Sequence, residues 1–198
     1  MNHLATSKED ILAASRDLIK ENGWVAVSIR AVASRCSVSA GTIYNYYESK
    51  ADLLSDTIES IWHEIFFHPE DEQVFHDVES CISWIYERLE YGNRQFPGFF
   101  SLHSFGFMRD EKTSGKKRMM KTWGHILNGL CEVLGNDPKV RADVFDQEFT
   151  EKKFADILFS LILVSMIRQD YDPSSVLMLV KKTLYVTVQS QAKFQKQV

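Results

Sequence analysis

Helix breakers are scarce in this chain. Four prolines and nine glycines are all that interrupt 198 residues, and between them apolar residues recur at the three- and four-residue spacing of helices. That combination predicts an all-α protein. Three of the prolines mark polar breaks, "HPEDE" (68–72), "NDPK" (136–139) and "YDPS" (171–174). Between the breaks, helices are expected at about 49–67, 72–92, 96–109, 114–134, 146–168 and 174–192. At the front, Ser7 and Asp10 form an S-x-x-D capping pair. Ile11, Ala14, Leu18 and Ile19 follow at helical spacing, and Asn22-Gly23 is the stop signal.

Residues 28–47 have a tighter plan. Ser28 is an N-cap for "IRAVASR", with Ile29, Val32 and Ala33 on one face; "CSV" (36–38) is a short connection; Ser39 caps "AGTIYNYY". Ser49 with Asp52 opens a fourth helix. The helix after Ser39 is about two turns long and cannot stand alone in water, because helix nucleation is costly. Ile43 and Tyr47 must therefore face inward, which leaves Ser39, Thr42, Asn45 and Tyr46 outside. Helix, turn and short second helix is the plan by which proteins place a helix in the major groove of DNA. Small residues at Ser39, Ala40 and Gly41 allow the helix start to come close to the duplex. Net charge is −4, but it is unevenly spread. Arg30, Arg35 and Lys50 against Glu48 leave residues 26–50 at +2, and residues 51–198 carry −5, so a local phosphate-binding face is permitted.

The run "ILAASRDLIKENGWVAVSIRAVASRCSVSAGTIYNYYESKADLL" resembles the N-terminal domain of the TetR family of bacterial transcriptional regulators. Gly23, Ser28, Ala33, Val38, Ser39, Gly41, Ile43, Tyr44, Tyr46, Tyr47, Ser49, Lys50 and Leu53 occupy the positions of that family's pattern. Tyr47 stands where phenylalanine is commoner, Tyr46 where histidine is, and Cys36 where a small apolar residue is usual. The resemblance covers about a quarter of the chain. It implies a three-helix DNA-binding domain over 1–50, with the fourth helix linking to a larger helical domain over 51–198. It also implies phosphate contacts from Ser28, Tyr44, Tyr46 and Lys50, close approach at Ser39 and Gly41, and base-facing positions at Ala40, Thr42 and Asn45. Asn can pair bidentately with adenine and a Thr methyl can touch thymine, each discriminating by roughly 1–3 kcal/mol.

In the rest of the chain the resemblance implies dimerisation and effector binding. "FADILFSLILVSMI" (154–167) is apolar nearly all round and must be buried on several sides. Its apolar run of 157–167 is far short of the roughly 20 residues a membrane span needs. With the stripe Leu177, Val180, Leu184 and Val188, it supplies the expected dimer interface, including Phe159, Leu161, Ile162 and Ser165. An effector that is itself apolar or aromatic is expected among Trp62, Trp84, Tyr86, Phe99, Phe100, His103, Phe107, Met119 and Trp123, with His103 or Tyr86 as polar anchors. No pair among His63, His68, His103 and His125 has metal-binding i, i+4 spacing, and Cys36, Cys81 and Cys131 are scattered. No metal, cofactor or disulfide is expected. The N-terminus lacks the form of a signal peptide, and nothing matches the common nucleotide-binding or nucleophile motifs. The expectation is a non-enzymatic, cytoplasmic, bacterial regulator of double-stranded DNA, most often a repressor and a homodimer on a palindromic operator. A nucleoid- or division-associated DNA-binding protein of the same fold, with no effector, is the alternative.

Overall fold

The computed structural model describes residues 6–66, 75–100 and 114–185, the side chains of 114–122 apart. Among the described residues there are eight α-helices and no strand. The chain forms two compact units, Met1–Glu72 with Leu89–Thr122, and Gln73–Arg88 with Trp123–Val198. No described helix is long and apolar enough to cross a membrane.

The first unit opens with α1 (Lys8–Asn22). Its capping box is complete. The Ser7 hydroxyl accepts from the Asp10 N–H (3.1 Å), and the Asp10 carboxylate accepts from the Ser7 N–H (2.8 Å). Gly23 ends the helix at φ 78, its N–H returning to the Ile19 carbonyl at 2.8 Å. A 3₁₀ turn (Trp24–Ala26) leads to α2 (Ile29–Arg35), α3 (Ala40–Tyr44) and α4 (Lys50–Phe66). Ser49 caps α4, accepting from the Asp52 N–H at 3.2 Å and donating to its carboxylate at 2.7 Å. Ile11, Ile19, Val32, Ile43, Leu53, Ile61 and Ile65 are wholly buried. They come from each of the four helices, so the core of this unit ties all of them together.

The end of α5 (Val78–Gln95) and the turn after it complete this unit. The helix expected over 96–109 does not begin where the sequence pointed. Residues 96–100 are a turn, since Pro97 has no N–H to give and Gly98 takes φ 79; residues 101–109 lie outside the described part. The turn places Phe99 and Phe100 against Trp62, with ring centroids 5.6 Å apart in both pairs, and Phe99 against Trp24 at 6.0 Å. The Trp24 N–H donates to the Pro97 carbonyl at 3.4 Å. Gly92 faces this cluster, where an added Cβ would stand 2.6 Å from Ile65 Cδ1.

The second unit holds the start of α5, most of α6 (Ser114–Asn136), α7 (Glu151–Arg168) and α8 (Ser174–Val180). The sequence put the start of α7 at 146, but the Asp146 carboxylate accepts from the Glu148 and Phe149 N–H groups, both at 2.7 Å. That side chain holds a turn, and Thr150 becomes the cap. Beyond Val180 the helix widens into a π-helical turn, Lys181–Tyr185; the rest of the stretch expected over 174–192 lies outside the described residues. Asp137 is buried and joins three elements. It accepts from the Val78 N–H (3.0 Å), the Tyr185 hydroxyl (2.6 Å) and the Lys139 N–H (2.8 Å).

Candidate nucleic-acid interface

The turn between α2 and α3 is built without glycine. Ser37 takes φ 56; the Val38 N–H bonds to the Ala33 carbonyl (2.9 Å) and the Ser37 N–H to the Ser34 carbonyl (3.1 Å). This paired closure is the Schellman motif, which satisfies carbonyls left over at the helix end. It turns the chain so that Ser39 starts α3. The Ser39 hydroxyl accepts from the Thr42 N–H at 3.1 Å and lies 3.0 Å from the Thr42 hydroxyl. Ile43 is wholly buried and Tyr47 is 4% exposed, the inward pair that a two-turn helix needs.

The opposite side of α3 is open. Ser39, Gly41, Tyr44, Asn45 and Lys50 are exposed; Ala40, Thr42, Tyr46 and Ser28 are half-buried. Tyr44 is 55% exposed, its ring largely open to solvent. The nominated DNA-contact residues therefore lie on α3 and at the starts of α2 and α4. Besides Ser39 and Thr42, whose hydroxyls bond within α3, two more are already engaged. The Ser28 hydroxyl accepts from the Ala31 N–H at 3.1 Å, though its own proton is still available to a phosphate. The Tyr46 hydroxyl donates to the Thr6 carbonyl at 2.6 Å. Arg35 is paired as well, forking onto both carboxylate oxygens of Glu21. That bond holds the Glu21 carboxyl below its ordinary range and raises the guanidinium. The segment's other two cations, Arg30 and Lys50, are both exposed.

The nominated effector residues divide between the two units. Trp62, Phe99 and Phe100 belong to the first, packed on one another. Trp84, Tyr86 and Trp123 belong to the second, where Trp84 meets Phe75 (5.2 Å) and Trp123 meets Phe159 (5.7 Å). Ser165 donates to the Leu161 carbonyl, so Tyr86, 2.9 Å away, donates to Ser165. His103, Phe107 and the Met119 side chain lie outside the described residues. The indole N–H groups of Trp62 and Trp123 are buried with no acceptor among the described residues.

The nominated interface residues are largely internal to the second unit. Phe159, Ile162, Val180 and Leu184 are buried there, Leu161, Ser165 and Leu177 half-buried, and Val188 lies outside the described residues. The large apolar side chains left open are Ile157 (44%), Val164 (40%) and Ile167 (51%) on α7, and Met178 (57%) and Leu179 (38%) on α8. The three on α7 recur at seven and three residues, one helical stripe. A helix apolar on every side gave no means of telling that stripe from the inward one.

Residues 11–57 match the family described as bacterial regulatory proteins, tetR family. The HTH-type transcriptional repressor KstR of Rhodococcus jostii is 45% identical over 47 residues, 24% of this chain and 22% of that protein. The HTH-type transcriptional regulator UidR of Escherichia coli is 38% identical over 48 residues, 24% of each chain. The similarity thus spans about a quarter of the curated relatives. Among solved structures, a transcriptional regulator from Rhodococcus sp. RHA1 superposes with a TM-score of 0.66 at 16% identity, over 92% of this chain and all of that one. FadR from Bacillus subtilis, in complex with stearoyl-CoA, gives 0.61 at 17% identity, over 88% and 97%. At those identities the likeness is one of fold, and it extends through the helices beyond α4.

Proposed function

We propose that this chain, whose N-terminal helices are those of the TetR family, is a sequence-specific DNA-binding transcriptional regulator, non-enzymatic and in most settings a repressor. The observation that carries the reading is α3. Ile43 and Tyr47 anchor it from beneath, and a small, polar and aromatic face points outward. That face has little to do in a folded monomer. Gly41 and Ala40 permit close approach, Asn45 and Thr42 are suited to base edges, and Lys50 and Tyr44 to phosphates. Residues 1–50 make the DNA-binding domain and 51–198 the effector-binding and dimerisation domain.

A homodimer follows from the exposed apolar stripe on α7. Ile157, Val164 and Ile167 with Met178 and Leu179 of α8 form the proposed contact, so that two α3 helices reach successive major grooves of a palindromic operator. An effector shifts that dimer only by its differential affinity for the DNA-fitting and non-fitting states. The indole N–H of Trp62, without an acceptor among the described residues and amid Phe99 and Phe100, favours an effector with an apolar body and a hydrogen-bond acceptor. FadR's stearoyl-CoA is a molecule of that general character.

Selection of bound duplexes from a random pool, with the purified protein, tests the reading. A two-fold symmetric site is the expected result. Recovery of no preferred sequence would overturn sequence-specific regulation, and scattered asymmetric sites would favour an architectural role on DNA.

A further inference from the structure

We infer that Tyr46 is a positioning residue, and that with Lys8 it forms a clasp holding the start of α1 to the end of α3 and to α4. The inference rests on the DNA-binding reading but changes the part Tyr46 plays in it. A phenol has one proton to give. That of Tyr46 goes to the Thr6 carbonyl at a short 2.6 Å. Phosphodiester oxygens only accept, so Tyr46 has nothing left to offer a DNA backbone while this bond stands. Tyr44, 55% exposed, is the tyrosine left for that contact.

A second link lies one turn away. Lys8, in the first turn of α1, reaches over the Tyr47 ring, its ammonium 5.5 Å from the centroid. It ends on the Asp56 carboxylate of α4 at 2.5 Å. The Asp56 side chain is only 8% exposed, so this charge is largely withdrawn from water and needs its pairing. Residues 6 and 8 thus bridge to 46, 47 and 56. The capping box on Ser7 fixes the backbone that carries the Thr6 carbonyl. α3 has five helical residues and no stability of its own; its direction is whatever its anchors impose. Ile43 and Tyr47 fix its depth. Tyr46 fixes where its far end points, and Lys8 passes any displacement of α4 to the same place.

The test uses the full-length protein carrying Tyr46→Phe, Lys8→Met, or both. Tyr46→Phe keeps the ring, so its helical content by circular dichroism stays that of the parent; Lys8→Met takes a cation away from the buried Asp56 carboxylate, so it is compared at a temperature where its helical content equals the parent's. Amide hydrogen exchange of residues 7–11 and 40–47, in the absence of DNA, accelerates by about five-fold in Tyr46→Phe, the factor of one lost hydrogen bond. Binding to a random-sequence duplex pool weakens in both single variants, and the double variant loses less than the product of the two losses, since they break one device. The salt dependence of binding is unchanged in Lys8→Met, whereas a lost phosphate contact would lower its slope by about one. Weaker binding by Tyr46→Phe with unaltered exchange would make Tyr46 a direct contact and overturn the inference. So would multiplicative losses, or a lowered slope for Lys8→Met. If the parent protein bound no DNA, the regulatory reading would fail, and the exchange data would still decide the clasp.

Discussion

Ser37 holds a left-handed conformation, φ 56, at the hinge of the helix-turn-helix. A residue with a Cβ pays roughly 1–2 kcal/mol for that backbone. Glycine does not, though it gives some back in unfolded-chain entropy. Ser37→Gly should raise stability by up to about 1 kcal/mol, read as a later urea midpoint; an earlier one would show that the serine side chain stabilises the turn. Cys81 gives a second residue-level test. Burial pushes its thiol up to about 12, and Cys36 and Cys131 are raised less. At pH near 8 a thiol reagent should label Cys36 and Cys131 first and reach Cys81 only as the protein unfolds; uniform labelling would contradict that burial. At this scale the sequence was legible where the partner is local. The caps at Ser7, Ser28, Ser39 and Ser49 all formed as read. It was not legible for Tyr46, whose partner Thr6 lies forty residues earlier, nor for Arg35, whose partner is on α1.

Among the elements, α3 and α7 show opposite cases. α3 was readable because two inward residues four apart define its face. α7 was readable as a helix, but with apolar residues on every side, periodicity cannot say which stripe meets the core of its own chain. Packing settled it, burying Leu158, Phe159, Ile162 and Met166 and leaving Ile157, Val164 and Ile167 open. Val164→Asp should therefore leave a folded protein that sediments as a monomer, whereas Ile162→Asp should unfold it, since a lone charge in that core costs several kcal/mol. A folded dimer carrying Val164→Asp would sink the proposed contact. Element ends were misjudged where a side chain or a ring rewrites the backbone, as at Asp146 and at Pro97-Gly98. Neither leaves a trace in the spacing of apolar residues.

For the whole molecule, acid is the informative stress. The Lys139 ammonium and the Ser80 N–H and hydroxyl hold the Asp77 carboxyl at about 2, from 3.8. Ser7 likewise lowers Asp10, and the Phe149 and Glu148 N–H groups lower Asp146. A carboxylate lowered in the folded state adds stability that is complete above its unfolded value and is lost as pH falls through the folded one. The thermal midpoint should therefore drop between pH of about 4 and 2, and Asp77→Asn should flatten that limb; an unaltered limb would remove Asp77 from the account. The all-α class and the helix-turn-helix were legible in the whole chain. The division into two units was not, because it follows contacts between residues far apart in sequence. Trp24, between α1 and α2, is covered by Phe99 and hydrogen-bonded to Pro97. During synthesis the first four helices leave the ribosome well before that cover exists. Trp24 and Trp62 then wait as a sticky surface of the sort chaperones hold. For the same reason residues 1–50 are no interchangeable cassette: grafted onto a different helical body, they would carry an indole whose lid was left behind.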